Sequence, residues 1–160
     1  MENKMKILFA IAFVAIVIAA GTASAQDDVT KEITVSGETG LKWMNTGLFV
    51  SAGDTVRLDA KGQVDVGGTW GIHGPEGITK FSEQPPGYYP LESKLRYGIA
   101  ARITPISKKK DMTPQTWIYG EKKEVSAVKS GALWLTVNDD APEGNEGEFV
   151  VTVTIIKKKK

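Results

Sequence analysis

The chain has no cysteine and a single histidine, His73, among its 160 residues. Without thiols there is neither a disulfide framework nor a cysteine-based zinc site, so stability must rest on an apolar core. No serine sits in a G-x-S-x-G elbow, so a Ser-His-Asp centre would have to be built around His73 alone. The glycines are numerous, yet none of their spacings forms a Walker or dinucleotide fingerprint. Charge of one sign is also lacking: 20 basic side chains stand against 19 acidic ones, for a net charge of +1. That balance excludes the surface excess of Lys and Arg behind a general attraction to nucleic acid. Paired-carboxylate glycoside hydrolysis is poorly served as well, because Asp139 and Glu143 lie on one turn instead of flanking a bond. These absences point to a domain that is not an enzyme.

Long apolar runs are missing except at the N-terminus. Lys4 and Lys6 precede an unbroken apolar stretch from Ile7 to Ala20, and Ala23-Ser24-Ala25 presents small residues around a cleavage point. The pattern is that of a secretory signal peptide over residues 1–25, its apolar run shorter than the roughly twenty residues of a membrane span. No cysteine follows it, so a lipoprotein anchor is excluded. The expected mature chain, residues 26–160, is a single periplasmic or secreted domain with no membrane span after cleavage. The lysine run Lys157 to Lys160 reads as a solvated tail.

What the sequence does have is alternation. From Ala132 to Val137, Leu133, Leu135 and Val137 share one face; from Phe149 to Ile156, Phe149, Val151, Val153 and Ile155 alternate with Thr152 and Thr154. Period two marks half-buried antiparallel strands, here read as the two arms of a final hairpin. Similar patterns cover Lys31 to Ser36, Thr55 to Ala60 and Ile99 to Ile106, while Leu41 to Val50 is interrupted at Gly47. Gln115 to Tyr119 and Glu124 to Val128 read as another strand pair. Gly62 to Gly68 begins extended and dissolves into glycine, and Trp70 to Gly77 reads as loop. The segment Ile78 to Tyr97 is longer than most connections and reads as a functional loop or a lid. About eight or nine short strands without an amphipathic helix predict an all-β fold, a β-sandwich of jelly-roll type.

Between the last two strands, Asn138, Asp139, Asp140, Glu143, Asn145 and Glu146 concentrate hard oxygen donors. Two readings stay open: ordinary turn chemistry, and a cation site for which calcium is the natural ion. EF-hand spacing is absent. Trp70, Tyr88 and Tyr89 fall on loops, where flat aromatic faces either stack on sugar rings or cap the core.

Several of these pieces stand in a telling order: Trp43-x-x-Thr46-Gly47, Val50-x-x-Gly53-Asp54, Ala60-x-Gly62, Gly74-Pro75-Glu76-Gly77, Gly98 to Ile103, and Leu133 to Val137 leading into Asn138-Asp139 and Asn145-x-Gly147. Over essentially the whole of residues 26–160 this order resembles the PA-I-type calcium-dependent galactophilic lectins. The resemblance implies a small jelly-roll sandwich that binds calcium at one end, with sugar hydroxyls completing the coordination. It implies Asp139 as the bidentate carboxylate, Asn145 as an amide ligand and the Val66 carbonyl as a further ligand; with the loop aromatics added, the expected sugar contacts are Trp70, Tyr88, Asp139 and Asn145. Gly144 occupies a position where the family has another oxygen ligand, which leaves Glu143, Asp140 or Glu146 to supply it. The His-Pro-x-x-Gln sugar contacts of that family have no counterpart between Ile78 and Tyr89, so galactose specificity does not transfer. The expected function is carbohydrate binding, through calcium if the implied site is kept, and the sequence leaves a homo-oligomer open. The alternative is a structural or protein-interaction sandwich whose calcium and sugar site has decayed.

Overall fold

The computed structural model describes residues 27–78, 96–106, 113–118 and 120–159; the expected signal peptide lies outside them. The described residues form nine strands: β1 (Val29–Ser36), β2 (Met44–Val50), β3 (Thr55–Asp65), β4 (Ile72–His73), β5 (Ile99–Thr104), β6 (Gln115–Ile118), β7 (Lys122–Ser126), β8 (Gly131–Val137) and β9 (Glu146–Ile156). One 3-10 turn, Gly40–Lys42, joins β1 to β2. In the first sheet β9 lies between β1 and β3, and the far edge of β3 is shared by β7 along its start and β4 near its end. The second sheet has the order β2-β8-β5-β6. All pairings are antiparallel, and the two sheets form a β-sandwich.

Alternation selects the faces that meet. Val56, Leu58, Ala60 and Val64 on β3 and Phe149, Val151, Val153 and Ile155 on β9 are buried, against Ile99, Ala101 and Ile103 on β5 and Leu133, Leu135 and Val137 on β8. Register reinforces the pattern by placing Leu58 opposite Val153 and Ala101 opposite Leu135. A one-residue slip would turn each of these sets to water, which fixes the pairing.

Two expected strand pairs are not pairs. β8 bonds to β2 and β5, whereas β9 bonds to β1 and β3, so the acidic loop between them crosses from one sheet to the other. Likewise β6 bonds to β5 and β7 to β3. Period two says which face is buried, not which strand lies alongside. β3 also continues past its expected end, through Gly62 to Asp65. Gly62 permits this because it takes φ 102°, and a Cβ there would stand 2.5 Å from the Glu148 carbonyl oxygen.

The lysine tail is not wholly solvated. Lys157 Nζ reaches Asp54 Oδ2 at 3.0 Å, with both side chains nearly buried, and the Lys158 N–H donates to Asp54 Oδ1 at 3.2 Å. Ser51 N–H donates to the same carboxylate at 2.9 Å. Burial alone would raise the Asp54 pKa, but the Ser51, Lys157 and Lys158 hydrogen bonds and the Lys157 charge outweigh it, and the net value lies below the ordinary 3.8. A carboxylate with a depressed folded pKa contributes stability that is present above its unfolded pKa and is lost as pH falls through the folded value. Asp54→Ala is therefore expected to cost about 1–3 kcal/mol at neutral pH. Urea midpoints measured for both proteins should converge as pH drops below 3.8; a gap that stays constant into acid would contradict this role.

Candidate functional site

Three chain segments meet around a cleft of about 260 Å³ lined by Val66, Trp70, Arg96, Tyr97, Asp139, Asp140 and Ala141. The first segment follows β3. Asp65 Oδ1 accepts from the Gly67 N–H at 2.8 Å, and Val66 N–H donates to the Gly71 carbonyl at 3.0 Å, closing a tight turn. Gly67, Gly68 and Gly71 all have positive φ, a backbone course that side-chained residues resist. The turn leaves Trp70 on the rim, 42% exposed.

The second segment leads into β5. Tyr97 takes φ 64°, which is strained for a bulky residue and costs about 1–3 kcal/mol. Its N–H donates to the Asn138 carbonyl at 2.9 Å, and the Asn138 N–H donates to the Gly98 carbonyl at 2.8 Å, so the strained residue is clamped from both sides. Tyr97 carries His73 stacked at 5.1 Å and Trp70 tilted at 6.1 Å between ring centroids. Arg96, only 2% exposed, is held by the Ile78 N–H, which donates to its carbonyl at 2.8 Å.

The third segment is the acidic loop. Asp139 is 3% exposed; its Oδ1 accepts from the Ala141 N–H at 3.1 Å and its Oδ2 from Asn145 Nδ2 at 2.7 Å. Asn145 Nδ2 also donates to the Gly37 carbonyl at 3.1 Å, tying the loop to the end of β1. Each carboxylate oxygen keeps a lone pair for a ligand hydroxyl, since a carboxylate has about four acceptor sites.

Of the residues expected from sequence, Val66, Trp70 and Asp139 share the cleft, and Asn145 stands behind Asp139 as its hydrogen-bond partner. Glu143 is exposed and is not among the lining residues. Tyr88 lies outside the described residues, as does most of the expected lid. Sequence reasoning passed over Arg96 and Tyr97, whose signal is slight: a basic and an aromatic residue placed just before Gly98 and a buried strand.

Calcium takes six to eight oxygens. The cleft offers the Asp139 and Asp140 side chains and the Val66 segment, and Asn145, whose Nδ2 donates to Asp139 and Gly37, keeps its Oδ1 as a further oxygen. Among the described residues no three His, Cys, Asp or Glu side chains group as metal ligands do. Two carboxylates with no third acidic, His or Cys side chain grouped beside them would leave a calcium ion here to take amide, carbonyl and water oxygens for most of its positions.

A larger hollow, about 300 Å³, lies over β3 and β7. It is bordered by the exposed ion pairs Arg57–Glu124 at 2.8 Å and Lys122–Asp59 at 3.7 Å. Those charges already satisfy each other across the strands, so this hollow is a poorer site than the smaller cleft.

Among solved structures, the chain is similar to the EclA N-terminal domain, described as a PllA-like lectin, with TM-score 0.54 and 21% identity over 78% of this chain and 94% of that one. The likeness shows a shared lectin-like fold. Two structures of a functionally unknown conserved protein from Bacillus anthracis str. Ames, one of them a mutant, align with 82% of this chain and 21% of theirs. Their TM-scores are 0.38 and 0.39 at 15% and 11% identity, too low to carry an argument. No protein-family model matches the chain, and no curated protein matches its sequence.

Proposed function

We propose that this protein is an exported, non-catalytic, lectin-like module that binds carbohydrate in the cleft between Trp70 and Asp139. The observation that carries the reading is the placement of the exposed Trp70 indole and the buried Asp139 around one cleft. A sugar ring needs both: its C–H face packs on an aromatic ring, and its hydroxyls donate and accept at once. The lectin-like fold shared with the EclA domain supports the assignment. His73 stacks on Tyr97, which supports a structural use of the lone histidine. A cleft this small takes one ring, so binding is weak per site, and useful affinity comes from several copies presented together. A homo-oligomer would supply them.

The test is retention on a glycan array. Wild-type protein is expected to be retained, and Trp70→Ala to bind about tenfold more weakly through loss of ring stacking. Undiminished retention by Trp70→Ala would place the site elsewhere. No retention at all would favour the protein-interaction class, for which the outer face of the second sheet offers Arg102 stacked at 4.3 Å over Trp43 and 5.6 Å from Trp134, with Phe49 exposed nearby on β2. Export rests on the N-terminal pattern of Lys4, Lys6, the apolar run and Ala23-Ser24-Ala25. Among the described residues no helix is long and apolar enough to cross a membrane. Intact-mass measurement of exported protein should give a chain beginning at Gln26; a membrane-bound species retaining residues 1–25 would refute cleavage.

A further inference from the structure

Beyond the cleft, we propose a second ligand site on the outer face of the second sheet, where Arg102 receives the carboxylate of an acidic sugar of the uronic-acid class. The four strands of that sheet, β2, β5, β6 and β8, hold one charged residue between them, Arg102. The first sheet instead pairs charges across its strands, Arg57 with Glu124, Lys61 with Glu32 and Lys122 with Asp59. Among the described residues Arg102 joins no ion pair and stacks on rings, its Cζ 4.3 Å from the Trp43 centroid and 5.6 Å from that of Trp134. Stacking occupies the faces of a guanidinium and leaves its N–H edge for an acceptor. Trp43 takes φ 42° to lie there, a backbone course that bulky residues resist. Register sets Trp134 opposite Arg102 and Ala132 opposite Thr104. The Arg102 Nε–H, the Trp134 indole N–H and the Thr104 hydroxyl are buried on this face with no hydrogen-bond partner. Burial is the one cause acting on the Arg102 pKa, and it acts downward. A fixed cation with spare donors beside it is the complement of a carboxylate.

The neighbours select what carries that carboxylate. Ala132, the smallest side chain of its row, lies between Phe49 on β2 and Thr104 on β5, and Phe49 is 51% exposed. Two strand spacings, about 10 Å, separate that outer pair. Ala132 thus leaves a floor for a single pyranose ring, its C–H side toward Phe49 and its carboxylate toward Arg102, two residues along β5 from Thr104. β8 and β5 are interior strands with neighbours on both sides, so an acidic peptide gains no main-chain pairing here.

The test is a ¹⁵N NMR titration of the whole exported protein with sodium glucuronate, with glucose as its uncharged counterpart, and with sodium sulfate and a capped peptide bearing one glutamate side chain. Glucuronate is expected to shift the Arg102 Nε–H, the Trp134 indole N–H and the Ala132 amide to saturation, a set distinct from the Val66 and Tyr97 amides that report the cleft. Glucose should leave that set unmoved, and sulfate and the peptide should bind there at least about tenfold more weakly than glucuronate. Arg102→Gln should weaken glucuronate by about tenfold or more, and Phe49→Ala, at an exposed side chain, by about threefold. No shift on this face, or an equal response to glucose, overturns the site and leaves the cleft reading standing. Sulfate binding as tightly as glucuronate overturns it as an adventitious ion only, and tighter binding of the peptide overturns the sugar in favour of an acidic protein partner. If Arg102→Gln does not fold, Phe49→Ala and the comparison of glucuronate with glucose on the wild type decide.

Discussion

Phe149→Ala is expected to lower the unfolding free energy by about 3–5 kcal/mol, the range for an aromatic side chain deleted from a packed interior. Phe149 is fully buried and stands first among the fully buried side chains ordered by size. It is the first inward residue of β9 and lies opposite Gly62, where the glycine lets β3 and β9 approach closely. Neighbouring chains can collapse little into the space left behind, because Val64 and Val151 sit on paired strands held by a continuous ladder from Thr55 to Asp65. For a domain with about 5–15 kcal/mol in total, that loss is a third or more of its stability. Urea denaturation read by far-UV circular dichroism provides the check, with the half-buried Thr152→Ala as a control expected within about 0.5 kcal/mol of wild type. A cost for Phe149→Ala below about 1 kcal/mol would mean the sheets do not pack face to face as described.

Asp139→Ala is expected to abolish sugar retention and to destabilise the fold by about 1–3 kcal/mol. Both effects have one cause. The carboxylate is buried and accepts from Asn145 Nδ2 and the Ala141 N–H, and Asp139 also lines the cleft. Truncation leaves the Ala141 N–H without that acceptor, and Asn145 keeps only the Gly37 carbonyl. Asp139→Asn separates the two roles. Its amide retains one oxygen to accept within the loop but loses the charge presented to ligand, so retention should fall about tenfold to a hundredfold with a smaller change in stability. Equal retention by wild type, Asp139→Asn and Asp139→Ala would remove Asp139 from the site.

Strand existence was readable because burial in a sandwich follows period two, and the Leu133 and Phe149 series state that period plainly. Strand neighbours were not readable. Nothing in the alternation of β8 or β9 says that they belong to different sheets, and the loop that carries Asn138 to Asn145 serves a sheet crossing as well as it would serve a turn. The site was half legible. Asp139 and Trp70 announce themselves through an acidic loop and a glycine-flanked indole, and the structure brings both to one cleft. Asn145 is a donor to Asp139 with its nitrogen, a role that its residue type cannot distinguish from oxygen ligation. Arg96 and Tyr97 enter the cleft through backbone hydrogen bonds to Ile78 and Asn138, contacts that depend on tertiary placement.

The most direct test of the central claim is a ¹⁵N-labelled NMR titration of the mature protein with whichever sugar the array retains. Shifts should concentrate at the backbone amides of Val66, Tyr97, Asp139 and Ala141 and at the Trp70 indole N–H. Shifts confined to the outer face around Trp43, Arg102 and Trp134, or to the hollow beside Arg57 and Lys122, would contradict it.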